Sequence, residues 1–442
     1  MFSMKPAALL KRYKENIEPG HLIRQLLQGT FLRRKPPFSR TFSNTTYPTL
    51  PTETHIEETL RYYKPDQYYP VNIGDRYEAR YQITGKLGYG TYSTRWLCRD
   101  LQDNKYKVLK ISTYLQKHPT ATHRESKIYE HLAKTNSTHP GQSHIREVYD
   151  SFELQGHVGK HRSLVLQPMH MTLLEIMGLN PEPFNLPLLK ITLRRILLAL
   201  DYLHTEVGVV HTARPKIDNV MLSIEDGTML SNFAKAEANS PSPRKIINDS
   251  RTIYKSHRFR SPKSYGLRIL FDFGEARIGK VHDTGPFVQP HIYRASEIIF
   301  EMPWGSEVDI WNLGCLIWDL FEGTHLFNDI FNTNGGHDPF RHLALMIALL
   351  GPPHSEFVKR SEMTEQCFIS SANVSILSAW IEHEEAPIPT VSLESLEWRL
   401  SGKEKGEFIQ FMKYMLKWLP EERKTAKQLL EDPWLAVVIP YC

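Results

Sequence analysis

The sequence predicts an α+β protein with two lobes, because its secondary-structure patterns fall into two unlike parts. Short alternating or β-branched runs dominate residues 68–168, whereas apolar repeats with helical spacing dominate residues 169–442. Residues 1–67 show neither pattern and form a basic N-terminal extension. We therefore expect a small β-rich lobe that is followed by a larger, mainly helical lobe.

The first lobe is predicted to be an antiparallel meander, because turn-forming residues separate its successive apolar runs. One segment with helical spacing interrupts the strands. The predicted strands are 80–87, 92–99, 105–112, 145–154 and 161–167, and the predicted helix is 123–132.

The second lobe is predicted from long stretches of helical periodicity. The segment 224–270 breaks this series, since it has little such periodicity and contains Ser-Pro-Ser-Pro-Arg. We predict that this segment is an inserted loop. The predicted helices are 186–204, 307–321, 341–350, 405–418 and 426–431.

The composition is that of a folded protein, with 442 residues of which 41% are hydrophobic. No apolar run reaches the roughly 18 residues that a transmembrane helix requires, so we expect no membrane partner. The cysteines form no CxxC pair, which favours reduced thiols over a structural zinc site. They are Cys98, Cys315, Cys367 and Cys442.

The positive charge is concentrated at the start of the chain. Residues 1–45 carry nine Lys or Arg and two acidic residues, whereas residues 46–442 carry 45 basic and 47 acidic residues. The slightly acidic remainder gives no support for direct binding of nucleic acid.

The extension itself has two interpretations. An Arg-rich, acid-poor and Ser-containing start is typical of a mitochondrial transit peptide, and Arg40-Thr41-Phe42-Ser43 resembles a removal site. A disordered basic tail explains the same composition. The sequence leaves both open.

A Gly-x-Gly motif lies between the first two predicted strands. Glycines there allow the backbone amides of a hairpin to approach phosphates closely. When such a motif stands alone, it is more often an ordinary hairpin turn. The candidate phosphate-binding residues are Leu87, Gly88, Tyr89, Gly90, Thr91, Tyr92, Ser93, Thr94 and Arg95.

Two charged residues strengthen the interpretation of this hairpin as a phosphate site. Lys110 lies in an apolar strand, where a charge requires an ionic partner, and Glu125 on the following predicted helix is the candidate partner. A solvated strand lysine is the alternative. Further along, Asp272 begins an Asp-Phe-Gly motif after an apolar pair, which is typical of a Mg²⁺ ligand.

These motifs, in this order, resemble the eukaryotic protein kinases over residues 68–437. The motif Tyr-Arg-Ala-Ser-Glu at 293–297 occupies the place of their Ala-Pro-Glu element. Asp309 lies in a following amphipathic helix, and the resemblance implies that Glu297 and Arg423 pair to brace the helical lobe. The implied fold is the two-lobed kinase fold.

The resemblance also implies the roles of the site residues. Lys110 and Glu125 would position the phosphates of ATP, and Asn219 and Asp272 would hold Mg²⁺. Lys216 would contact the transferred phosphate. ATP and Mg²⁺ are therefore the expected cofactors.

The finer resemblance is to the SR-protein kinases, particularly their short fungal-type members. It is carried by Tyr-Pro-Val-Asn-Ile-Gly-Asp at 69–75, Lys-Leu-Gly-Tyr-Gly at 86–90, His211-Thr212, and Val-Asp-Ile-Trp-Asn-Leu-Gly-Cys at 308–315. It implies a serine/threonine kinase that acts on Arg/Ser-rich proteins in splicing regulation, in the cytoplasm and nucleus. We expect a monomer.

An acidic docking groove for Arg-rich peptides is part of this expectation. Ordinary solvated surface charge is the simpler explanation of the acids that lie in the second lobe. The candidates are Asp319, Glu322, Asp329, Glu382, Glu384 and Glu385.

The catalytic loop departs from the family pattern His-Thr-Asp-x-Lys-x-x-Asn. Residues 211–219 read His-Thr-Ala-Arg-Pro-Lys-Ile-Asp-Asn, so that Lys216 and Asn219 keep their spacing while the catalytic Asp is missing. A positioned base contributes roughly 10²–10⁴ in rate. A pseudokinase that acts as a scaffold or regulator is therefore the alternative function, and a misplaced splice junction would leave the same irregularity.

A second departure lies in the hairpin. Arg95 stands where the family usually has a Val that packs over adenine. Either the nucleotide pocket is altered, or the Arg95 side chain folds outward.

Overall fold

The computed structural model describes most of the chain from residue 47 onward. The described residues are 47–114, 119–180, 182–212, 219–259, 266–283, 288–369, 379–381 and 386–436.

An antiparallel sheet forms the first lobe, and in the described residues it has six strands in the order β1-β2-β3-β4-β6-β5. Helix α1, Pro119–Leu132, follows the fourth strand. The strands are β1 Arg76–Tyr77, β2 Tyr81–Gly90, β3 Ser93–Asp100, β4 Tyr106–Ser112, β5 Val148–Gln155 and β6 Lys160–Leu166.

The two faces of this sheet carry different contacts, because successive side chains point to opposite faces. Trp96 and Leu109 belong to an outer apolar cluster. Val108 belongs to the cluster that includes Tyr129 of α1 and continues into the helical lobe. Lys110, two residues after Val108, therefore faces the inner side of the sheet, toward the cleft.

The second lobe is built around α6, Glu307–Glu322, of which nearly every residue is buried. Helix α3, Leu186–Asp201, continues as a π-type turn, Tyr202–Val207, that ends at Gly208 with φ 65°. The other helices of the described residues after the sheet are α2 Leu173–Leu179, α4 Thr228–Asn239, α5 Ser296–Ile299, α7 Pro339–Leu350, α8 Ser355–Val358, α9 Glu362–Glu365, α10 Leu393–Leu396, α11 Gly402–Lys413 and α12 Ala426–Leu430.

Short strands lie between these helices and form small sheets. Strands β12, β9 and β7 form one small sheet, and β13 pairs with β8. The strands are β7 Met169–Thr172, β8 Val209–Val210, β9 Val220–Ser223, β10 Arg244–Asn248, β11 Arg251–Tyr254, β12 Arg268–Leu270, β13 Arg277–Ile278, β14 Phe368–Ile369 and β15 Ala379–Trp380.

The prediction that residues 224–270 form an inserted loop is wrong, because the segment has regular secondary structure. It contains the 12-residue helix α4 and the antiparallel hairpin of β10 and β11. Phe233 of α4 packs against β2, where a Cβ at Gly85 would lie 2.7 Å from its ring. The helix was missed because its apolar positions, Leu230 and Phe233, are few and pack on another lobe.

The described part of the extension, residues 47–67, is also more ordered than the sequence predicts. It contains the 3₁₀ turns Glu57–Thr59 and Pro65–Gln67. Residue Thr49 pairs with Arg244 of β10, and the Lys245 ammonium donates to the carbonyls of Thr52 and Thr54 at 3.2 and 3.0 Å. Both interpretations of the extension concern residues that lie outside the described ones.

The predicted positions of the strands and helices agree with the structure. Each strand and helix that the sequence predicts overlaps an observed one, while the lobe boundary at 168/169 stays a prediction. Cys98, Cys315 and Cys367 are free and buried. Within the described residues, no helix is both long and apolar enough to cross a membrane.

Candidate active site

The Gly-x-Gly motif forms the hairpin between β2 and β3, as predicted. Gly88 faces Arg95 across the hairpin, and Gly90 faces Ser93. A Cβ at Gly90 would meet no atom within 4 Å, so the backbone at the tip is open to a ligand. This openness suits the approach of phosphate oxygens to backbone amides.

Not every predicted hairpin residue has a side chain that faces this space. The Thr94 hydroxyl accepts a hydrogen bond from the Trp96 indole at 2.9 Å, on the outer side of the sheet, and Thr94 is buried. Thr94 therefore contributes only its backbone to the cleft.

Arg95 does not fold outward. It is the direct cross-strand partner of Lys110, so both side chains lie on the inner face. A Cβ built on Gly88 would lie 3.0 Å from Nη2 of Arg95, which places the guanidinium beneath the hairpin. The nucleotide side of the cleft is thus altered by an added cation.

Lys110 and Glu125 lie near each other without touching. Burial lowers the pKa of Lys110, and the charges of Glu125 and Asp272 oppose that change. Burial likewise raises the pKa of Glu125 well above its ordinary value, against the effect of Lys110. Among the described residues, neither side chain has an ion-pair partner within 4.0 Å, so the expected direct pair is not formed.

Asp272 lies close enough to Lys110 to affect its pKa, two residues after the end of β12. Its φ is 69°, a left-handed conformation that costs free energy for a non-glycine residue and is typical of functional sites. The Phe271 amide donates to the Asn219 carbonyl at 3.0 Å, so Asn219 and Asp272 stand at adjacent strand ends. The two predicted metal ligands are therefore brought together.

A row of rings connects this segment to α1 and to the catalytic loop. The Phe273 ring, which is fully buried, lies 5.0 Å from the Tyr129 ring and 5.1 Å from the His211 ring. The Arg124 guanidinium donates to the Gly274 carbonyl at 3.1 Å and pairs with Glu275 at 2.7 Å. These contacts fix the position of α1 relative to the Asp-Phe-Gly segment.

The start of the catalytic loop is held by the buried carboxylate of Asp309. It accepts hydrogen bonds from the amides of His211 and Thr212 at 2.7 and 2.9 Å. The His204 ring nitrogen lies 2.9 Å from the same carboxylate. Lys216 and residues 213–215 lie outside the described residues, so the missing Asp is assessed from the sequence alone.

The predicted pair of Glu297 and Arg423 is confirmed. Two guanidinium nitrogens of Arg423 donate to the two carboxylate oxygens of Glu297 at 2.6 and 2.7 Å, and both side chains are buried. This bidentate geometry gives a strong charge-assisted contact.

The structure also corrects the candidate acidic groove. Asp319 and Glu322 are buried, so they are not solvated surface charges and do not line a groove. Asp329 is exposed, with 84% of its side chain accessible. Glu382, Glu384 and Glu385 lie outside the described residues.

Sequence reasoning missed Arg146, which is buried at the back of the cleft. Two of its nitrogens donate to the Gln167 carbonyl at 3.0 and 2.8 Å. Burial lowers its pKa to about 10, and the charge of Arg95 adds to that decrease. Its strand-like surroundings in the sequence contain no signal that would have singled it out.

The residues fit a metal-bound nucleotide. Arg95 and Arg146 both lie close enough to Lys110 to lower its pKa, and Arg95 also lowers the pKa of Arg146. The positive charge of these three residues would attract phosphate. The oxygen donors of Asn219 and Asp272 are the hard ligands that Mg²⁺ prefers. The open hairpin supplies backbone donors.

The comparisons with known proteins agree with this geometry. Residues 81–435 match the family described as the protein kinase domain. The chain belongs to this family, and its fold is the protein-kinase fold. By family it is a serine/threonine protein kinase, for which ATP binding is typical.

Three individual matches describe the similarity to protein kinases in more detail. A serine/threonine protein kinase of Aspergillus fumigatus is 40% identical over 92% of this chain and 97% of its own length. The serine/threonine-protein kinase SRPK of Physarum polycephalum is 30% identical over 87% of this chain and 92% of its own. A solved kinase domain, 21% identical with a TM-score of 0.62, covers 84% of this chain and 99% of its own, which shows the fold alone.

Proposed function

We propose that this chain is an SR-protein-kinase-type enzyme that transfers the γ-phosphate of ATP to Ser in Arg/Ser-rich proteins and thereby takes part in splicing regulation. The observation that carries the proposal is the constellation of Lys110, Asn219 and Asp272 around an open glycine hairpin, in a chain 30% identical to an SRPK. Mg²⁺ with ATP is the proposed cofactor. The proposed site of action is the cytoplasm and nucleus, with the protein as a monomer.

In this function the residues of the site have distinct roles. Lys110 and Arg95 bind the phosphates from the inner face of the sheet, and Glu125 of α1 lies close to Lys110. Asn219 and Asp272 would hold Mg²⁺, which neutralises phosphate charge when it is bound. Asp309 holds the start of the catalytic loop, at His211 and Thr212.

The alternative, a pseudokinase, rests on the sequence Ala213-Arg214-Pro215 where the family has its catalytic Asp. Positioning and electrostatics would remain, while the base contribution of roughly 10²–10⁴ would be lost. Nucleotide binding is common to both functions.

Phosphoryl transfer from labelled ATP and Mg²⁺ to an Arg/Ser repeat peptide separates the two. The comparison is with Asp272→Ala, which removes a metal ligand, and with Asp249→Ala on an exposed turn as a matched control. An active kinase transfers phosphate in the wild type and in Asp249→Ala, but not in Asp272→Ala. Wild-type transfer no faster than that of Asp272→Ala overturns the active-kinase proposal.

Thermal unfolding tests nucleotide binding independently of transfer. ATP at 100 times its Kd stabilises a protein by about 2.7 kcal/mol, which is a measurable rise in Tm. A wild type whose Tm does not respond to MgATP would not bind nucleotide in either function.

The proposed location has a simple test, since the basic start of the chain also suits mitochondrial import. A fluorescent tag placed after Cys442 should report cytoplasm and nucleus. Accumulation in mitochondria would overturn that proposal and support the transit-peptide interpretation.

A further inference from the structure

The outer side of the glycine hairpin is tied to the segment that precedes the sheet. The Tyr89 hydroxyl donates to the Ile56 carbonyl at 2.8 Å. The Thr59 hydroxyl donates to the same carbonyl at 2.6 Å and lies 3.4 Å from the Tyr89 oxygen. Tyr89 belongs to the Gly-x-Gly motif, so this contact acts directly on the element that would cover the phosphates.

A buried ion pair fixes the segment at the point where Tyr89 reaches it. Glu57 pairs with Lys86 of β2, and the two residues are 4% and 1% exposed. The Tyr63 hydroxyl donates to the second carboxylate oxygen of Glu57 at 3.0 Å. Because Lys86 lies three residues before Tyr89 on the same strand, the segment cannot shift relative to the hairpin without exposing or separating this pair.

A second tyrosine holds the tip of the hairpin. The Tyr68 hydroxyl lies 3.2 Å from the Gly90 carbonyl and 3.3 Å from the Thr91 carbonyl, to which it donates. Tyr68 is buried, with 4% of its surface exposed. The hydroxyls of Tyr68 and Tyr89 therefore link three consecutive residues of the hairpin, residues 89–91, to the segment that precedes the sheet.

A glycine hairpin is otherwise free to leave the position in which its amides face the phosphates. A protein that holds the binding-competent conformation for only a fraction of the time binds its ligand more weakly in proportion to that fraction. We propose that Tyr68 and Tyr89 are positioning residues whose hydroxyls hold the hairpin in its nucleotide-binding position. This inference rests on the proposed function only in that the cleft binds a nucleotide.

The test removes one hydroxyl at a time and leaves the rings in place. The variants are Tyr89→Phe, Tyr68→Phe and the double variant, and the matched control is Tyr106→Phe on β4. The Tyr106 oxygen accepts from Arg99 at 3.3 Å, away from the hairpin. The readouts are the Kd of Mg²⁺-bound ADP with a methylanthraniloyl label, and the Tm without nucleotide.

Each single variant should weaken labelled-ADP binding about fivefold, which corresponds to one net hydrogen bond. Because the two tyrosines hold different atoms, the double variant should show roughly the product of the two effects. Tyr106→Phe should bind as the wild type does, and the Tm without nucleotide should change equally little in Tyr89→Phe and Tyr106→Phe.

Several outcomes overturn the inference. These are unchanged binding in both single variants, equal weakening in Tyr106→Phe, or no binding of labelled ADP by the wild type. These two measurements do not depend on phosphoryl transfer, so failure of this inference can be distinguished from failure of the proposed function. An inactive chain with the expected binding pattern keeps the positioning role, and an active kinase with unchanged binding loses it.

Discussion

The cleft brings three basic side chains close to one another. Arg95 and Lys110 are cross-strand neighbours, and Arg146 lies close enough to affect the pKa of Lys110. Glu125 and Asp272 are the acidic residues whose charges act on Lys110 in return. Neighbouring cations disfavour one another's charged forms, and an anionic ligand would relieve that cost.

The residues between Thr212 and Lys216 lead to the first prediction. Changing Ala213→Asp and deleting Arg214 restores the spacing His-Thr-Asp-x-Lys. If only the base is missing, phosphoryl transfer to the Arg/Ser peptide should rise by about 10²–10⁴. Initial rates with labelled ATP measure this increase.

The matched control keeps the deletion but places Asn at position 213, which preserves size and spacing without a base. A rise of the same size with Asn would show that loop length, and not the carboxylate, limits the rate. No rise in either variant would contradict the prediction.

The buried pair of Glu297 and Arg423 leads to the second prediction. Arg423→Ala leaves the Glu297 carboxylate buried and unpaired, which should lower the free energy of unfolding by about 3–5 kcal/mol. Arg360→Ala, which breaks an ion pair with the half-exposed Glu421, should cost less than about 1 kcal/mol. Urea unfolding of both variants measures the difference, and similar losses would contradict it.

At the level of elements, the segment 224–270 follows strand β9 of the second lobe in sequence. Its helix α4 and its β10–β11 hairpin nevertheless pack on the first lobe. Phe233 of α4 lies against Gly85, and its ring is 5.3 Å from that of Phe259. Arg251 donates to the Tyr68 carbonyl, and the Tyr254 hydroxyl lies 3.3 Å from Asn72. The β10–β11 hairpin thus packs on the outer side of the sheet through Tyr254, whereas α4 packs on the opposite face at Gly85.

The third prediction tests that packing. Phe233→Ala should lower the free energy of unfolding by about 3 kcal/mol, because it removes a buried ring from between α4 and β2. Ile246→Ala, at a residue that is 48% exposed on β10 of the same insertion, should change it by less than about 0.5 kcal/mol. Urea unfolding tests both, and a negligible loss in Phe233→Ala would show that the insertion does not stabilise the lobe.

The pH dependence of the whole molecule depends in part on Glu322 at the end of α6. Burial raises the pKa of Glu322 from its ordinary 4.5 to about 7, and the negative charge of Glu397 adds to that increase. Neither carboxylate oxygen of Glu322 has a hydrogen-bond partner within the described residues. The folded protein therefore binds this proton more tightly than the unfolded chain does.

The fourth prediction follows from the raised pKa of Glu322. Stability from Glu322 is present at or below pH 4.5 and is lost as the pH rises toward and through 7, by up to about 3 kcal/mol. Glu322→Gln should therefore raise the Tm more at pH 8 than at pH 5. Scans at both values measure this, with the exposed Glu356→Gln as control, and an equal effect at both pH values would contradict the prediction.

Much of the fold was predictable from the sequence because its signals are local. The strand containing Lys110 and the helix containing Glu125 follow from periodicity, and the Asp-Phe-Gly motif marks Asp272 without any knowledge of contacts. The expected fold class is confirmed by the family match. Helix α4 was missed because only two of its apolar side chains pack, and they do so on strands distant in sequence.

The sequence by itself determined the order of the two lobes, the kinase motifs and the absence of Asp from residues 213–215. Tertiary structure alone decided that Arg95 faces inward, that Lys110 and Glu125 are not in direct contact, and that Arg146 lies in the cleft. It also decided that Tyr68 and Tyr89 tie the hairpin to the preceding segment. Each of these features depends on contacts between residues that are far apart in the chain. The periodicity of side chains in the sequence carries no information about such contacts.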